Sequence, residues 1–180
     1  MTEGATTTRS PLPSGGMLLT HLDSETEPAG GEPGRVVSVA RRLRAHHDEQ
    51  WQAEDLSRDA ADDDAVVAKV KRRIDGMNVE RSRMFDELDA WLSGELVQNP
   101  DAAPHTETIG SVVDRICIAW VRADRLSRKP NAEAMAVAAR RQLTELAAAY
   151  DQLVSEVLTG RRRVPDWRAL KSYGAGDDRG

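Results

Sequence analysis

The chain carries a single cysteine, Cys117. One thiol can form neither an intrachain disulfide nor a cysteine-based metal cluster. Aromatic residues make up only 4%, so the core must be built mainly from aliphatic side chains. No apolar run reaches the roughly eighteen residues that a membrane span requires. Positive charge is not in excess either: 25 basic residues face 30 acidic ones, for a net charge of −5. That balance speaks against a nucleic-acid partner, whose phosphates call for a basic surface. The N-terminal segment lacks a basic stretch followed by an apolar one, so a cytoplasmic location is expected. G-x-S-x-G, P-loop and dinucleotide fingerprints are missing, and no cofactor is expected.

What is present is helical periodicity. The 180 residues fit one domain with tails. Residues 1–33 are rich in Thr, Ser, Gly, Pro and Glu, and such a segment buries too little apolar surface to offset chain entropy. They read as a disordered N-terminal arm. Its one apolar patch, Met17-Leu18-Leu19, reads as incidental, with docking on the body or on a partner as the alternative. From residue 35 to 58, Val36, Val39, Ala40, Leu43 and Trp51 recur at helical spacing. A break at residues 59–64 offers aspartates to cap a second helix, expected over residues 64–97 with Val70, Ile74, Met77, Met84, Leu88 and Leu92 on one stripe. A third helix is expected after Thr108, apolar almost all round and therefore central. A fourth runs from about Ala132 to Leu158, with Gly160 placed to end it. Val164, Trp167, Leu170 and Tyr173 suggest a short docked tail, and residues 174–180 a frayed end. The expected fold is all-α: an antiparallel four-helix bundle with long helices over residues 34–173. The heavy preference for Arg, with Lys only at Lys69, Lys71, Lys129 and Lys171, suggests a GC-rich source.

Several polar residues fall on the apolar faces. At 100° per residue, Val36, Leu43, His47 and Glu54 point within about 20° of one direction, and Trp51 and Arg58 lie close to that line. Arg81 interrupts the stripe of the second helix, with Asn78 beside it. Asp114 and Arg115 interrupt the apolar third helix. Buried charge is costly unless paired, so these side chains are expected to meet. One reading is a structural network that sets helix register. The other is a site between helices. There Glu54 or Asp114 would be the acid or base, His47 a proton shuttle, and Arg81 and Arg115 a grip on an anionic group. Thr108 is placed to cap the third helix, and Gly110 would let a ligand approach its free N–H groups. Ordinary capping is the simpler reading, and Glu107 could instead partner an arginine.

No Glu-x-x-His pair of the kind found in two-metal bundles occurs, and no metal site is expected, though a mixed set from Glu54, Asp55, Glu107 and Asp114 stays open. Cys117 sits in the most apolar helix and reads as core packing. Trp91 and Leu92 would serve equally as a dimer face or as packing for the tail.

These residues also resemble a family. His47-x-x-x-Trp51-x-x-Glu54-Asp55-x-x-Arg58, then Lys71-Arg72-x-Ile74-Asp75-x-x-Asn78-x-x-Arg81 with Asp86-x-x-Asp89-x-x-Leu92 in step, then Thr106-Glu107-Thr108-Ile109-Gly110-Ser111-x-x-Asp114-Arg115-Ile116 occur in order, followed by Lys171-x-Tyr173. They are similar to the motifs of the bacterial domain-of-unknown-function 4254 family over about residues 40–175. The resemblance implies a helical fold and a setting near glycosyltransferases or in biosynthetic clusters, but no agreed activity. Ile109 stands where the family has proline, and His47 and His105 where it has asparagine.

Two functions follow as expectations. The first is an accessory or small-ligand-binding protein of a glycan or secondary-metabolite pathway, working with a small anionic molecule, a partner protein or a second copy of itself. The second is a small-molecule enzyme that uses the carboxylates as acid and base.

Overall fold

The computed structural model describes residues 10–24, 32–60 and 63–168. Of these, 76% are helical, which makes the chain all-α. The helices are α1 (Gly15–Asp23), α2 (Glu32–Asp59), α3 (Asp64–Glu95), α4 (Ile109–Ser127) and α5 (Glu133–Leu158). Two short strand segments, β1 (Ala103–Pro104) and β2 (Arg162–Arg163), pair in parallel. This pair is absent from the sequence expectation because two residues carry no alternation to read.

Helices α3 and α4 begin, and α5 ends, where local chemistry asks. The Asp63 side chain accepts from the N–H groups of Ala65 and Val66 at the start of α3. Thr108 Oγ1 accepts from Ser111 N–H, 3.1 Å, at the start of α4. Such caps satisfy backbone donors that have no partner inside the helix. Gly160 turns α5 off at φ 68°, a left-handed conformation that glycine adopts without a Cβ penalty.

Helix α4 is the centre of the molecule and touches each of the other four helices. Its apolar residues explain the position: Ile109, Val113, Ile116, Cys117 and Val121 are all buried, on more than one side of the helix. Val36, Val37, Leu43 and Leu88 meet them from α2 and α3, and Tyr150, Leu153 and Val157 from α5.

The largest departure from expectation is α1, which stands within the segment read as a disordered arm. Leu18 and Leu22 are each 1% exposed. They lie one helical turn apart and therefore on one face. Burying a leucine contributes about 1.5–3 kcal/mol, which holds a nine-residue helix too short to form alone. Polar contacts fix its position. Ser14 caps it through Met17 N–H. Gly15 N–H donates to Asp151 Oδ1, 2.7 Å, and a Cβ at Gly15 would come within 2.5 Å of the Ala147 carbonyl oxygen. Arg44 Nη1 donates to Leu22 O, 2.8 Å, and Trp120 Nε1 to Asp23 Oδ1, 2.8 Å. Among the described residues α2 and α5 make no close contact, and α1 packs against both. The apolar patch is thus a structural wedge and not incidental.

The C-terminal segment docks as far as it is described. Val164 N–H donates to Gln98 Oε1, 2.7 Å, and His105 N–H to Arg163 O, 2.7 Å. Leu92 is buried and lines a cleft shared with Val164 and Trp167, while Arg35 stacks over the Trp91 ring at 5.2 Å. Leu170, Tyr173 and residues 174–180 lie outside the described residues, as do residues 1–9 and 25–31 of the expected arm.

Candidate functional site

Helix α2 carries His47, Trp51 and Glu54 on the face turned toward α3 and α4. Helix α3 contributes Arg81, and α4 contributes Asp114. Asp114 is the hub. It is 3% exposed and accepts from three nitrogens. His47 Nε2 approaches Asp114 Oδ1 at 2.8 Å. Arg81 Nε lies 3.1 Å from both carboxylate oxygens, and Arg81 Nη2 is 2.8 Å from Oδ2. Such a forked guanidinium–carboxylate contact is strong and directional, and it answers the burial of the Asp114 charge.

Clefts open on the two sides of this hub. One has a volume of about 270 Å³ and is lined by His47, Trp51, Glu54, Arg81, Ile118 and Val121, with Gln50 at its edge. The other, about 210 Å³, is lined by Arg81, Phe85, Glu107, Ser111, Asp114 and Arg115. In the first cleft Glu54 is half-buried and makes no hydrogen bond or ion pair among the described residues. Gln50, one turn earlier on α2, donates to Asn78 Oδ1 at 3.4 Å, while its own Oε1 is buried with no partner.

The expected single network is therefore divided. His47, Arg81 and Asp114 come together, and Trp51 and Glu54 stand beside them in one cleft. Arg115 does not join. Being the residue after Asp114 on α4, it points about 100° away, and its Nη2 meets Glu107 Oε1 at 2.6 Å. The Glu107 hydrogen bond raises the Arg115 pKa above its ordinary value. Arg58 is exposed and pairs with Asp55, which raises its pKa in the same way. Asn78 is exposed and reaches only Gln50. Neither Arg58 nor Asn78 lines the two clefts. The guanidinium groups of Arg81 and Arg115, expected to grip an anion, are both turned to carboxylates of this chain.

The start of α4 also differs from the anion-site expectation. Thr108 takes Ser111 N–H, and Asp89 Oδ1 takes Gly110 N–H at 2.7 Å. Two of the donors at this helix end are thus already engaged. Gly110 is needed for packing, because a Cβ there would lie 2.6 Å from both Asp89 Oδ2 and the Phe85 carbonyl oxygen. Asp89 was missed as a polar residue on an apolar face, although it follows Phe85 by one helical turn and precedes Leu92 by three residues, a spacing that places it on the core stripe. His46 was missed as well: it is as buried as His47, at 7% exposed, and its ring meets that of His47 edge-on with centroids 6.2 Å apart.

Among the described residues no three His, Cys, Asp or Glu side chains gather in a way that could hold a metal ion. Asp55, Glu107 and Asp114, three members of the mixed set, are each bound to an arginine instead. Cys117 donates to Ala40 O at 3.3 Å from a fully buried position, and burial pushes its thiol pKa well up. It is a packing residue, not a nucleophile. No helix among the described residues is long and apolar enough to cross a membrane.

No curated protein and no solved structure matches the chain. Residues 37–165 match the family described as protein of unknown function, DUF4254, which takes in α3, α4, α5 and all but the start of α2 and leaves α1 outside. The first three of the motifs that resemble that family supply His47, Arg81 and Asp114 of the hub, and over most of its length the chain belongs to the DUF4254 family of proteins of unknown function.

Proposed function

We propose that the protein is an accessory protein that binds a small molecule in the cleft between α2, α3 and α4. One observation carries this reading. Asp114, His47 and Arg81 satisfy one another, yet Glu54 stands beside them with no hydrogen bond or ion pair among the described residues, half-buried next to Trp51 in a cleft of about 270 Å³. A network that served register alone has no need of an unpaired carboxylate at its edge, and burial without a partner is unfavourable. At about 270 Å³ the cleft falls just short of the usual range of small-molecule sites, about 300–1,000 Å³. On this reading the four long helices act as an antiparallel bundle with α1 wedged into its open side, and the protein works in the cytoplasm. A place in glycan or secondary-metabolite biosynthesis rests on the family resemblance alone.

The His47–Asp114 pair favours a second reading, a small-molecule enzyme. With Nε2 donating to Asp114, Nδ1 is left as the basic nitrogen, and His47 lines the cleft. A carboxylate that orients an imidazole in this way suits it to general-base work. Asp114 would then position His47, and Glu54 would be the second titratable group.

Thermal-shift measurements against sugar nucleotides, nucleotides, amino acids and amines test the binding reading. A ligand at 100 times its Kd adds about 2.7 kcal/mol of stability. A shift that disappears in Glu54→Gln is the expected result. No shift with any of these compounds, in a protein whose melting temperature is unchanged by Glu54→Gln, returns the cluster to a purely structural role.

A further inference from the structure

The charges that line the cleft point to the kind of ligand it takes. Arg81 brings one positive charge, and Asp114 cancels it through a forked contact of 2.8–3.1 Å. The remaining fixed charge is the Glu54 carboxylate. Arg58, one turn further along α2, is exposed and hydrogen-bonds Asp55; it feels the Glu54 charge only through space. Beside Glu54 stands the Trp51 indole, and opposite it the apolar side chains of Ile118 and Val121. Gln50, on the same face of α2 one turn before Glu54, adds a buried carbonyl oxygen with no partner. The cleft therefore has acceptors to spare, an aromatic surface and no free guanidinium.

We infer that this cleft selects a small organic cation, an amine on a short alkyl or sugar frame, and not the anion that the arginines suggested from sequence. The inference rests on the binding reading above and names the ligand class. The ammonium group meets the Glu54 carboxylate as a charge-assisted donor. Its charge lies against the Trp51 ring, whose face is electron-rich. The stem packs on Ile118 and Val121. The net charge of −5 draws a cation toward the surface at low ionic strength.

The test is calorimetric and thermal-shift titration of the full chain with two probe sets. Putrescine, agmatine and glucosamine form the cationic set. Inorganic phosphate and glucose 1-phosphate form the anionic set. At least one cationic probe is expected to bind, and neither anionic probe. Glu54→Gln is expected to weaken that binding at least tenfold and Trp51→Leu several-fold, while Glu107→Gln in the neighbouring cleft leaves it unchanged. Glu54→Asp, which keeps the charge, guards against loss of fold and is expected to restore part of the affinity. Cation binding equal in wild type and Glu54→Gln overturns the inference, because it reports only the overall charge. Binding of an anionic probe alone overturns the inference and leaves the binding reading standing. Binding of neither set overturns the inference, and the binding reading then stands or falls with the broader thermal-shift screen above.

Discussion

Asp114 and Asp89 are both buried carboxylates in the apolar interior, at 3% and 7% exposed, and they are accommodated differently. Asp114 is held by side chains from two other helices, a guanidinium from α3 and an imidazole from α2. Asp89 accepts a backbone N–H at the start of α4, where the helix dipole favours negative charge. The first arrangement sits between clefts and leaves functional groups at its rim. The second closes a helix end tightly enough that only glycine fits at position 110, although Asp89 also lines the cleft of about 470 Å³ shared by Leu92, Val164 and Trp167. The Asp114 arrangement is taken as the candidate site and the contact of Asp89 with Gly110 as a joint between α3 and α4.

The largest expected effect comes from breaking the first arrangement. Asp114→Ala leaves His47 buried and Arg81 without its acceptor. Removing one partner of such a pair costs about 3 kcal/mol, the lower end of the usual range because Arg81 is 31% exposed. Urea denaturation measures it. The double variant Asp114→Leu with Arg81→Met removes both charges and is expected to be less destabilised than Asp114→Ala alone. A larger loss in the double variant would mean that the two residues contribute chiefly through packing.

Gly110→Ala tests the joint. The new Cβ meets the Phe85 carbonyl oxygen at 2.6 Å, so α3 and α4 must separate slightly, at about 2 kcal/mol. Asp89→Ala removes the acceptor for Gly110 N–H and is expected to lose about 1–2 kcal/mol, the size of a lost helix cap. Neither change is expected to alter ligand binding in the cleft beside Glu54. An effect on affinity comparable to that of Glu54→Gln would erase the distinction between joint and site.

Glu107→Gln sharpens the comparison from the other side. Its partner Arg115 is 57% exposed, and exposed pairs contribute about half a kcal/mol or less. The melting temperature is expected to stay within a degree or so.

The smallest effect is a pH dependence at Glu156. Hydrogen bonds from Arg162 and then Gln152 hold its carboxyl below the usual range. A carboxyl lowered by folding stabilises the protein above its unfolded pKa, and the contribution is lost as pH falls through the folded value. The small stability advantage of the wild type over Glu156→Gln should therefore be complete at neutral pH and vanish under acid, as followed by urea midpoints at stepped pH. An advantage that grows toward acid would reverse the sign of this argument.

Helical periodicity made most of the fold legible. Val113, Ile116, Cys117 and Val121 marked α4 as central, the expected cap at Thr108 is in place, and of the aspartates in the 59–64 break it is Asp63 that caps α3. The pairing of three polar side chains was equally legible, because a charge on an apolar stripe must find a partner: His47, Arg81 and Asp114 did. Arg115 and Glu107 could be placed only once the rotation of α4 about its own axis was known. Asp89 lies on a stripe long enough to hide one carboxylate, and its partner is a backbone amide, which no side-chain pattern announces.

The sequence by itself determined that the chain is helical, where its four long helices begin and end, which of them lies at the centre, and the family to which it belongs. These are properties of spacing along one chain, set by the 3.6-residue turn and by caps a few residues away. The tertiary structure alone decided that Leu18 and Leu22 make a fifth helix, that Arg81 spends its charge on Asp114 while Glu54 keeps its own, and that Asp89 closes the start of α4. Each of those depends on the height and rotation of one helix against another, where a short apolar patch finds a groove and a charge finds its partner across the core.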